Sequence, residues 1–97
     1  AANDVRTALT KAGAGNLGNY TACSFSSKGT GRFKGNAQSN PTVGTAGVLE
    51  EVPEERIEVV ASGDTLPAVL QAAHDAHPYE EPAIHVLPML DYKSLLS

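Results

Sequence analysis

The hydrophobic and polar positions of the first fifteen residues, AANDVRTALTKAGAG, recur with the period of an amphipathic helix. The apolar residues that fall on one face are Val5, Ala8, Leu9 and Ala12. We expect Asn3 or Asp4 to cap the start of this helix, because short polar side chains accept bonds from the first backbone N–H groups. Gly13 and Gly15 predict its end, since glycine adopts the left-handed conformation without a steric penalty.

A second and stronger helical pattern covers TLPAVLQAAHDAH, residues 65 to 77. The residues on its stripe are Leu66, Val69, Leu70, Ala73 and His77. Thr65 is the predicted cap, Pro67 falls in the first turn, where proline is tolerated, and Pro78 is expected to end the helix. Near the end of the chain, DYKSLL predicts one further short helical turn.

The remaining apolar positions follow the two-residue period of strands. TACSFSSKGTGRFKG predicts a strand that enters a turn or bulge near Gly29 and Gly31. TAGVLEEV and ERIEVVAS predict two strand segments separated at Pro53, and AIHVLPML predicts the last strand. The apolar face of ERIEVVAS carries Ile57, Val59 and Ala61. Residues 36 to 44, NAQSNPTVG, are polar and predict a loop.

The predicted order is helix, strand, strand, helix, strand, in a single domain over residues 1–97. One strand placed in front would complete a βαββαβ arrangement. The sequence therefore predicts an α+β fold of the ferredoxin-like kind, in which an antiparallel sheet carries two helices on one face. The first strand of that fold is missing from this chain.

The composition of the chain argues against nucleic-acid binding and against a membrane-spanning protein. The 97 residues carry a net charge of −4 and contain no run of lysine or arginine, so nucleic acid is a poor partner. The apolar runs are too short for a membrane span. The single Cys23 cannot form a disulfide within the chain, which favours a cytoplasmic location. Five aromatic residues and no tryptophan predict a lean core that partner chains complete.

Three segments together resemble a known family. GAGNLGNYTACSFSSKGTGRF, NPTVGTAGVLEEVPEERIEVV and AAHPYEEPAIHVLP look like the YqfO-related, PII-like/CutA-like domain. This domain occurs alone, and also as an insert in the Nif-three ("NGG-interacting factor") proteins, which carry a dinuclear metal site. The resemblance runs from the first helix to about Leu90. It implies a ferredoxin-like trimer with sheets packed edge to edge, and it does not imply a settled activity.

Two features depart from the family pattern. The family's first strand is missing, and the metal ligands of the Nif-three proteins belong to flanking halves that nothing here matches. The resemblance leaves three candidate functions, of which we favour the first. The first is a non-enzymatic binding or regulatory module of PII-like or CutA-like type. The second is a regulatory or assembly insert of a Nif-three-type hydrolase, and the third is a trimer that binds copper or zinc. Ala83 replaces an acidic residue linked to copper in CutA proteins, which weakens the third.

The segment HPYEEP, residues 77 to 82, has two interpretations. In the first it is architectural: Pro78 and Pro82 hold an extended corner between helix and strand, and Tyr79 packs near a subunit contact. Its glutamates then face solvent or pair with Arg32 or Arg56. In the second it binds a divalent metal ion, because histidine and carboxylate side chains are common ligands. The residues of that metal site are His74, His77, Glu80 and Glu81. We favour the architectural interpretation.

The segment KGTGRFKG is the candidate site for a small anionic ligand. Its glycines expose backbone N–H groups and its basic side chains supply positive charge. The residues of this candidate cradle are Lys28, Gly29, Thr30, Gly31, Arg32 and Lys34. It lacks the lysine–serine ending of a phosphate-binding loop, so a hairpin bulge is the simpler interpretation.

No residue pattern nominates a catalytic centre. Cys23 is expected to be a small buried residue in a strand, because nothing near it in sequence would lower its pKa. His85 lies on the face of the last predicted strand opposite Ile84 and Val86, where a polar residue with hydrogen-bond partners is commoner than a metal ligand. The sequence therefore predicts no catalytic activity in this chain.

Overall fold

The computed structural model describes residues 2–36, 46–77 and 83–96 of the chain. Its elements are α1 (Ala2–Lys11), β1 (Phe25–Phe33), β2 (Glu50–Glu58), α2 (Leu66–Ala76) and a short 3₁₀ helix, η1 (Tyr92–Leu95). The two strands pair antiparallel, and α1 packs against both α2 and β2. This α+β architecture confirms the predicted fold class and the predicted final helical turn.

Helix α1 ends as predicted but begins earlier. Gly13 has a φ of +106°, and its N–H bonds the carbonyl of Thr10, which ends the helix. The predicted cap was wrong, because Asn3 and Asp4 both lie inside the helix. The side chain of Asn3 instead accepts a hydrogen bond from Arg6, one turn further along, at 2.6 Å. This is the three-residue spacing at which helix side chains meet.

Helix α2 begins at Leu66 with Thr65 before it and Pro67 in its first turn, as predicted. The side chain of Thr65 does not cap the helix, since its hydroxyl lies 3.0 Å from that of Ser62 and donates to the Ser62 carbonyl. The helix ends at Ala76, and His77 follows in an extended conformation (φ −81°, ψ 130°). A residue that precedes proline prefers this conformation. Pro78 itself lies outside the described residues.

The sheet differs from the prediction in two places. Strand β1 continues through Gly29 and Gly31, so the predicted turn or bulge at KGTG was wrong. Strand β2 continues through Pro53, which pairs opposite Thr30, so the predicted break was also wrong. A proline is accepted in a strand whose N–H side faces an open edge. The uninterrupted register runs from Phe25 opposite Glu58 to Phe33 opposite Glu50.

The predicted last strand, AIHVLPML, does not form in the described structure. Residues 83–90 carry no regular secondary structure, and all of them are exposed. A strand is stabilised by ladder hydrogen bonds, and no described segment other than β1 pairs with β2. The predicted strand is therefore wrong for the described chain, because its apolar residues have no strand to pair with there.

The hydrophobic core lies between the two helices and the first turn after α1. Its buried residues in the described chain are Leu9, Ala14, Val69 and Ala73. The half-buried residues that pack against them are Val5, Ala12, Ile57, Val59 and Ala61. These sets confirm part of the predicted inner face of each helix. Ile57 lies in β2, whereas Val59 and Ala61 follow its end at Glu58, so the predicted strand ERIEVVAS is shorter than expected. A core this small leaves little margin of stability.

The segment 84–96, which we term the apolar tail, is exposed along its whole length. Its large apolar side chains are Ile84, Val86, Leu87, Met89, Leu90, Tyr92, Leu95 and Leu96. Their exposed fractions range from 37% at Ile84 to 82% at Leu90. Contiguous apolar surface of this kind marks an interaction site more often than free surface of a monomer. The exposure makes the tail a candidate interaction surface of the described chain.

Candidate functional site: a groove beside helix α1

A tight loop after α1 forms one wall of the candidate site. Gly15 is buried at the base of this loop, with a φ of +87°. Its N–H donates to the Val60 carbonyl at 2.7 Å, and its carbonyl accepts from the N–H of Cys23 at 2.9 Å. Ala22, next to Cys23, has a φ of +57°, which is uncommon for a residue with a Cβ. The two hydrogen bonds hold this strained turn in place.

The groove lies between this turn and the outer face of α1. It is largely open to solvent and has a volume of about 300 Å³. The residues that line it are Arg6, Thr7, Thr10, Lys11, Ala22 and Ser24. The four helix residues form two pairs of neighbours, Arg6–Thr7 and Thr10–Lys11, and the pairs are about one turn apart, so they share one side of the helix. Two of the lining side chains are cationic, three carry hydroxyl groups, and none is a carboxylate.

Arg6 connects the helix to the sheet beside the groove. Its Nη1 donates to Glu55 Oε2 at 2.8 Å and to Ser26 Oγ at 3.0 Å, and its Nη2 donates to Asn3 Oδ1 at 2.6 Å. The hydrogen bond from Arg6 lowers the pKa of Glu55 below its ordinary value of 4.5. These contacts fix the orientation of the guanidinium group.

The segment KGTGRFKG does not form the predicted cradle of backbone N–H groups. A cradle needs successive N–H groups that point the same way, whereas in strand β1 they alternate in direction. The strand instead places Lys28, Thr30 and Arg32 on one face, with acidic residues opposite: Lys28 pairs with Glu55 in the register, and Arg32 with Glu51. The Nε of Arg32 lies 3.1 Å from Glu51 Oε1. Anion binding by these side chains stays a prediction.

The two glycines of that segment have different surroundings. A Cβ built on Gly31 would collide with the carboxylate of Glu54, whereas the space beside Gly29 is open. Gly31 therefore leaves room for an acidic side chain to lie across β1. This arrangement places negative charge where the sequence predicted an anion site. Lys34 follows the end of the strand and is exposed.

The predicted metal set is only partly described. His77 is half-buried next to the end of α2, and burial lowers its pKa, while the charge of Glu54 opposes this shift. His74 is exposed, with Nδ1 3.5 Å from Asp75 Oδ1. Glu80 and Glu81 lie outside the described residues. Over residues 2–36, 46–77 and 83–96, no three His, Cys, Asp or Glu side chains are grouped to hold a metal ion. Metal binding by the full predicted set therefore stays untested.

The architectural interpretation of HPYEEP also rests largely on residues 78–82, which include Pro78, Tyr79 and Pro82 and lie outside the described chain. Its first residue, His77, has the extended backbone that this interpretation requires. The two arginines named as partners of its glutamates have other carboxylate neighbours. Arg32 contacts Glu51, and the Nε of Arg56 lies 3.7 Å from Glu58 Oε2.

The other residues singled out in the sequence lie elsewhere. Cys23 is half-buried in the loop before β1 and not in a strand, with Sγ 3.8 Å from the Thr21 carbonyl. His85 is exposed in the irregular stretch before the apolar tail's helical turn. Sequence reasoning missed Arg6 and Lys11 because α1 was read only for its apolar face. The polar spacing on its other face was the available signal. None of the helices in the described residues is long and apolar enough to cross a membrane.

Comparison with known proteins gives a consistent result. No family model matches the sequence. The chain is 46% identical over 86 residues to the GTP cyclohydrolase 1 type 2 homolog of Mycobacterium leprae, covering 89% of this chain and 22% of that protein. It is 46% identical over 87 residues to the homolog of Halalkalibacterium halodurans, covering 90% of this chain and 23% of that protein. The chain thus spans less than a quarter of the length of these relatives.

A solved structure is also similar to this chain over most of its length. A Bacillus cereus protein related to NIF3 superposes with a TM-score of 0.67 at 45% identity, over 84% of this chain and 20% of that chain. The chain is therefore similar, along most of its length, to one segment of longer Nif-three-related proteins. This finding confirms the Nif-three part of the resemblance. The PII-like, CutA-like and YqfO-related parts stay predictions.

Proposed function

We propose that this chain is an assembly domain of a longer Nif-three-type protein, and that it joins copies of that protein into a homotrimer. The observation that carries the proposal is the exposed apolar tail of a chain whose similarity covers only part of its relatives. The catalytic chemistry of the parent protein would then belong to the remaining three quarters of its length.

The exposed surface supports an assembly role. The described chain buries only a small core, yet most of the apolar side chains of residues 84–96 are more than half exposed. Covering such side chains yields about 25 cal/mol for each Å² of apolar surface removed from water. The sheet has two strands, and a two-stranded sheet is marginal unless further strands or packing support it. Both features favour packing against other protein surface.

The relatives bear the name GTP cyclohydrolase 1 type 2 homolog, which refers to an enzyme that acts on GTP. We propose that this domain contributes to such a protein by organising the assembly, and not by binding its catalytic metals. The resemblance supports this division of roles, because it assigns the dinuclear site to flanking halves.

Deletion in a full-length relative tests the proposal. In the Halalkalibacterium halodurans protein, the matching segment would be replaced by a short glycine–serine linker, and mass and metal content measured by light scattering and elemental analysis. We expect a smaller assembly that retains its metal. An unchanged assembly would contradict the proposal, and so would loss of metal from a protein that keeps its fold.

A point variant separates the apolar tail from other exposed apolar residues. Leu87→Glu with Leu90→Glu should reduce the assembly, because each places a charge in the proposed contact. The matched control is Val48→Glu with Leu49→Glu, since these residues are also exposed but lie before β2. Equal effects of both double variants would show that added negative charge alone, and not the tail, changes the assembly.

A second candidate function is a ligand-binding regulatory module of PII-like or CutA-like type. The groove beside α1 favours it, because its lining is largely polar and every lining residue except Arg6 is exposed. Both functions can reside in one domain. A regulatory role predicts that a small ligand changes the activity or the assembly of the parent protein, whereas a purely structural role predicts no such response.

A further inference from the structure

We propose that the groove beside α1 binds the phosphate group of a small molecule, with Lys11, Arg6 and the hydroxyl groups of Thr10 and Ser24 as donors. The proposal is independent of the assembly function. The proposed anion site is the groove, whereas the sequence predicted an anion site at KGTGRFKG.

The guanidinium group of Arg6 retains unused donors. An arginine side chain has five N–H groups, and Nη1 uses two of them on Glu55 and Ser26. Nη2 uses one on Asn3, so its second N–H and the N–H of Nε have no partner among the described residues. The side chain is only 29% exposed and is held in place at three points. A fixed guanidinium with spare donors suits a phosphate oxygen.

The other lining groups also have donors to spare. Lys11 has no ion pair in the part of the chain that the structure describes, and the hydroxyls of Thr7, Thr10 and Ser24 have no hydrogen-bond partner there. Thr7 and Lys11 are four residues apart on α1, as are Arg6 and Thr10, which brings all four to one side of the helix. Each group can donate a hydrogen bond, and none of the lining residues adds a negative charge.

Two opposing effects limit the affinity. Glu55 neutralises part of the charge of Arg6, and the C-terminal end of α1 carries the negative end of the helix dipole. Lys11 lies in the last turn, where a cation offsets that dipole. The ligand would contact the side of the helix and not its end. We therefore expect millimolar to high-micromolar binding for an inorganic probe, and tighter binding only for a molecule that fills the rest of the groove.

The loop through Ala22 and Ser24 gives the groove a fixed wall. Ala22 and Ser24 flank Cys23, whose backbone bonds to Gly15, so the wall is fixed before a ligand arrives. A preformed wall reduces the ordering cost of binding. The uncommon φ of Ala22 fits this interpretation, because strained backbone persists where the surrounding structure holds it and is frequent at binding sites.

The test titrates the ¹⁵N-labelled chain with inorganic pyrophosphate and inorganic phosphate at constant ionic strength, with citrate as a carboxylate of comparable charge. We expect saturable shifts of the backbone amides of Thr10, Lys11, Ala22 and Ser24 with pyrophosphate, and weaker ones with phosphate. Absence of saturable shifts at these amides would overturn the proposal. Binding of citrate as tight as that of pyrophosphate would overturn the assignment to phosphate.

Variants locate the site. Lys11→Met keeps the length of the side chain and removes its charge, so it should weaken pyrophosphate binding about tenfold. Thr10→Val removes one hydroxyl at nearly constant volume and should weaken binding by a smaller factor. Lys34→Met is the control, because it removes the same charge from the end of β1. If Lys34→Met weakens binding as much as Lys11→Met, general charge or the predicted cradle holds the anion, and the groove does not.

Discussion

Replacement of Gly15 by alanine is the sharpest test of the loop that forms the groove wall. Gly15 has a φ of +87°, and a Cβ built there would lie 2.7 Å from the carbonyl oxygen and 2.9 Å from the nitrogen of Cys23. Both neighbours are backbone atoms, which cannot rotate away as a side chain could. The backbone of Gly15 also bonds Cys23 and Val60, which follows the end of β2, so movement of either segment disturbs these hydrogen bonds.

The expected cost follows from two terms. A residue with a Cβ in the left-handed region costs about 1–2 kcal/mol relative to glycine. Forcing an extra methyl group into a packed site costs about 1–3 kcal/mol. We therefore expect Gly15→Ala to lower the free energy of unfolding by about 3 kcal/mol. Urea unfolding followed by circular dichroism measures this difference. In a domain of marginal stability, such a loss is a large fraction of the total.

Gly18→Ala is the matched control. Gly18 also has a positive φ, +56°, but nothing lies within 4 Å of a Cβ built there. Gly18→Ala should lower the free energy of unfolding only by the cost of a Cβ in the left-handed region, about 1 kcal/mol. If the two variants lose equal stability, the close approach of Gly15 to Cys23 does not constrain the loop, and the account of a fixed groove wall is wrong.

Three further predictions concern stability and metal binding. The pKa of Glu55 is lowered in the folded chain, so its contribution to the free energy of unfolding is present above about pH 4.5 and is lost as the pH falls through its folded pKa. In urea unfolding, Glu55→Gln should therefore make the free energy of unfolding depend less on pH below about pH 5. An unchanged curve would refute the Arg6–Glu55 contact. Leu9→Ala should cost about 2–3 kcal/mol, the lower part of the range for a buried leucine, because half-buried neighbours can relax; a loss below about 1 kcal/mol would show that Leu9 is not central to the core. On the architectural interpretation, dialysed protein should contain no stoichiometric zinc or copper by elemental analysis, and metal that disappears with His77→Ala would overturn it.

The elements with strong periodicity could be predicted from sequence, and those that depend on distant partners could not. Both helices formed with their inner faces as expected, because Leu9, Val69 and Ala73 recur at helical spacing. The strands through Gly29 and through Pro53 contradicted local propensity. Glycine and proline usually mark turns, but the antiparallel register joined these segments into one uninterrupted ladder. Pairing with a distant segment overrides the local preference.

The predicted site residues also divide into features that local sequence reveals and features that depend on distant segments. The basic side chains of KGTGRFKG were real candidates from composition, but their cross-strand partners, such as Glu51 opposite Arg32, become visible only from the register. Arg6 and Lys11 border a groove only because the loop through Ala22 folds back beside α1. The sequence contains no local sign of that approach. The prediction of a final strand failed for a related reason, since it depended on a partner strand that residues 83–90 lack in the described chain.

The central claim is that this chain assembles through the surface it leaves exposed. Light scattering on the purified chain at micromolar concentration tests this claim most directly. We predict three times the mass of the single 10.1 kDa chain, and a smaller mass for the variant with glutamate at Leu87 and Leu90. A folded monomer at that concentration would contradict the account, and so would a trimer that both glutamate substitutions leave intact.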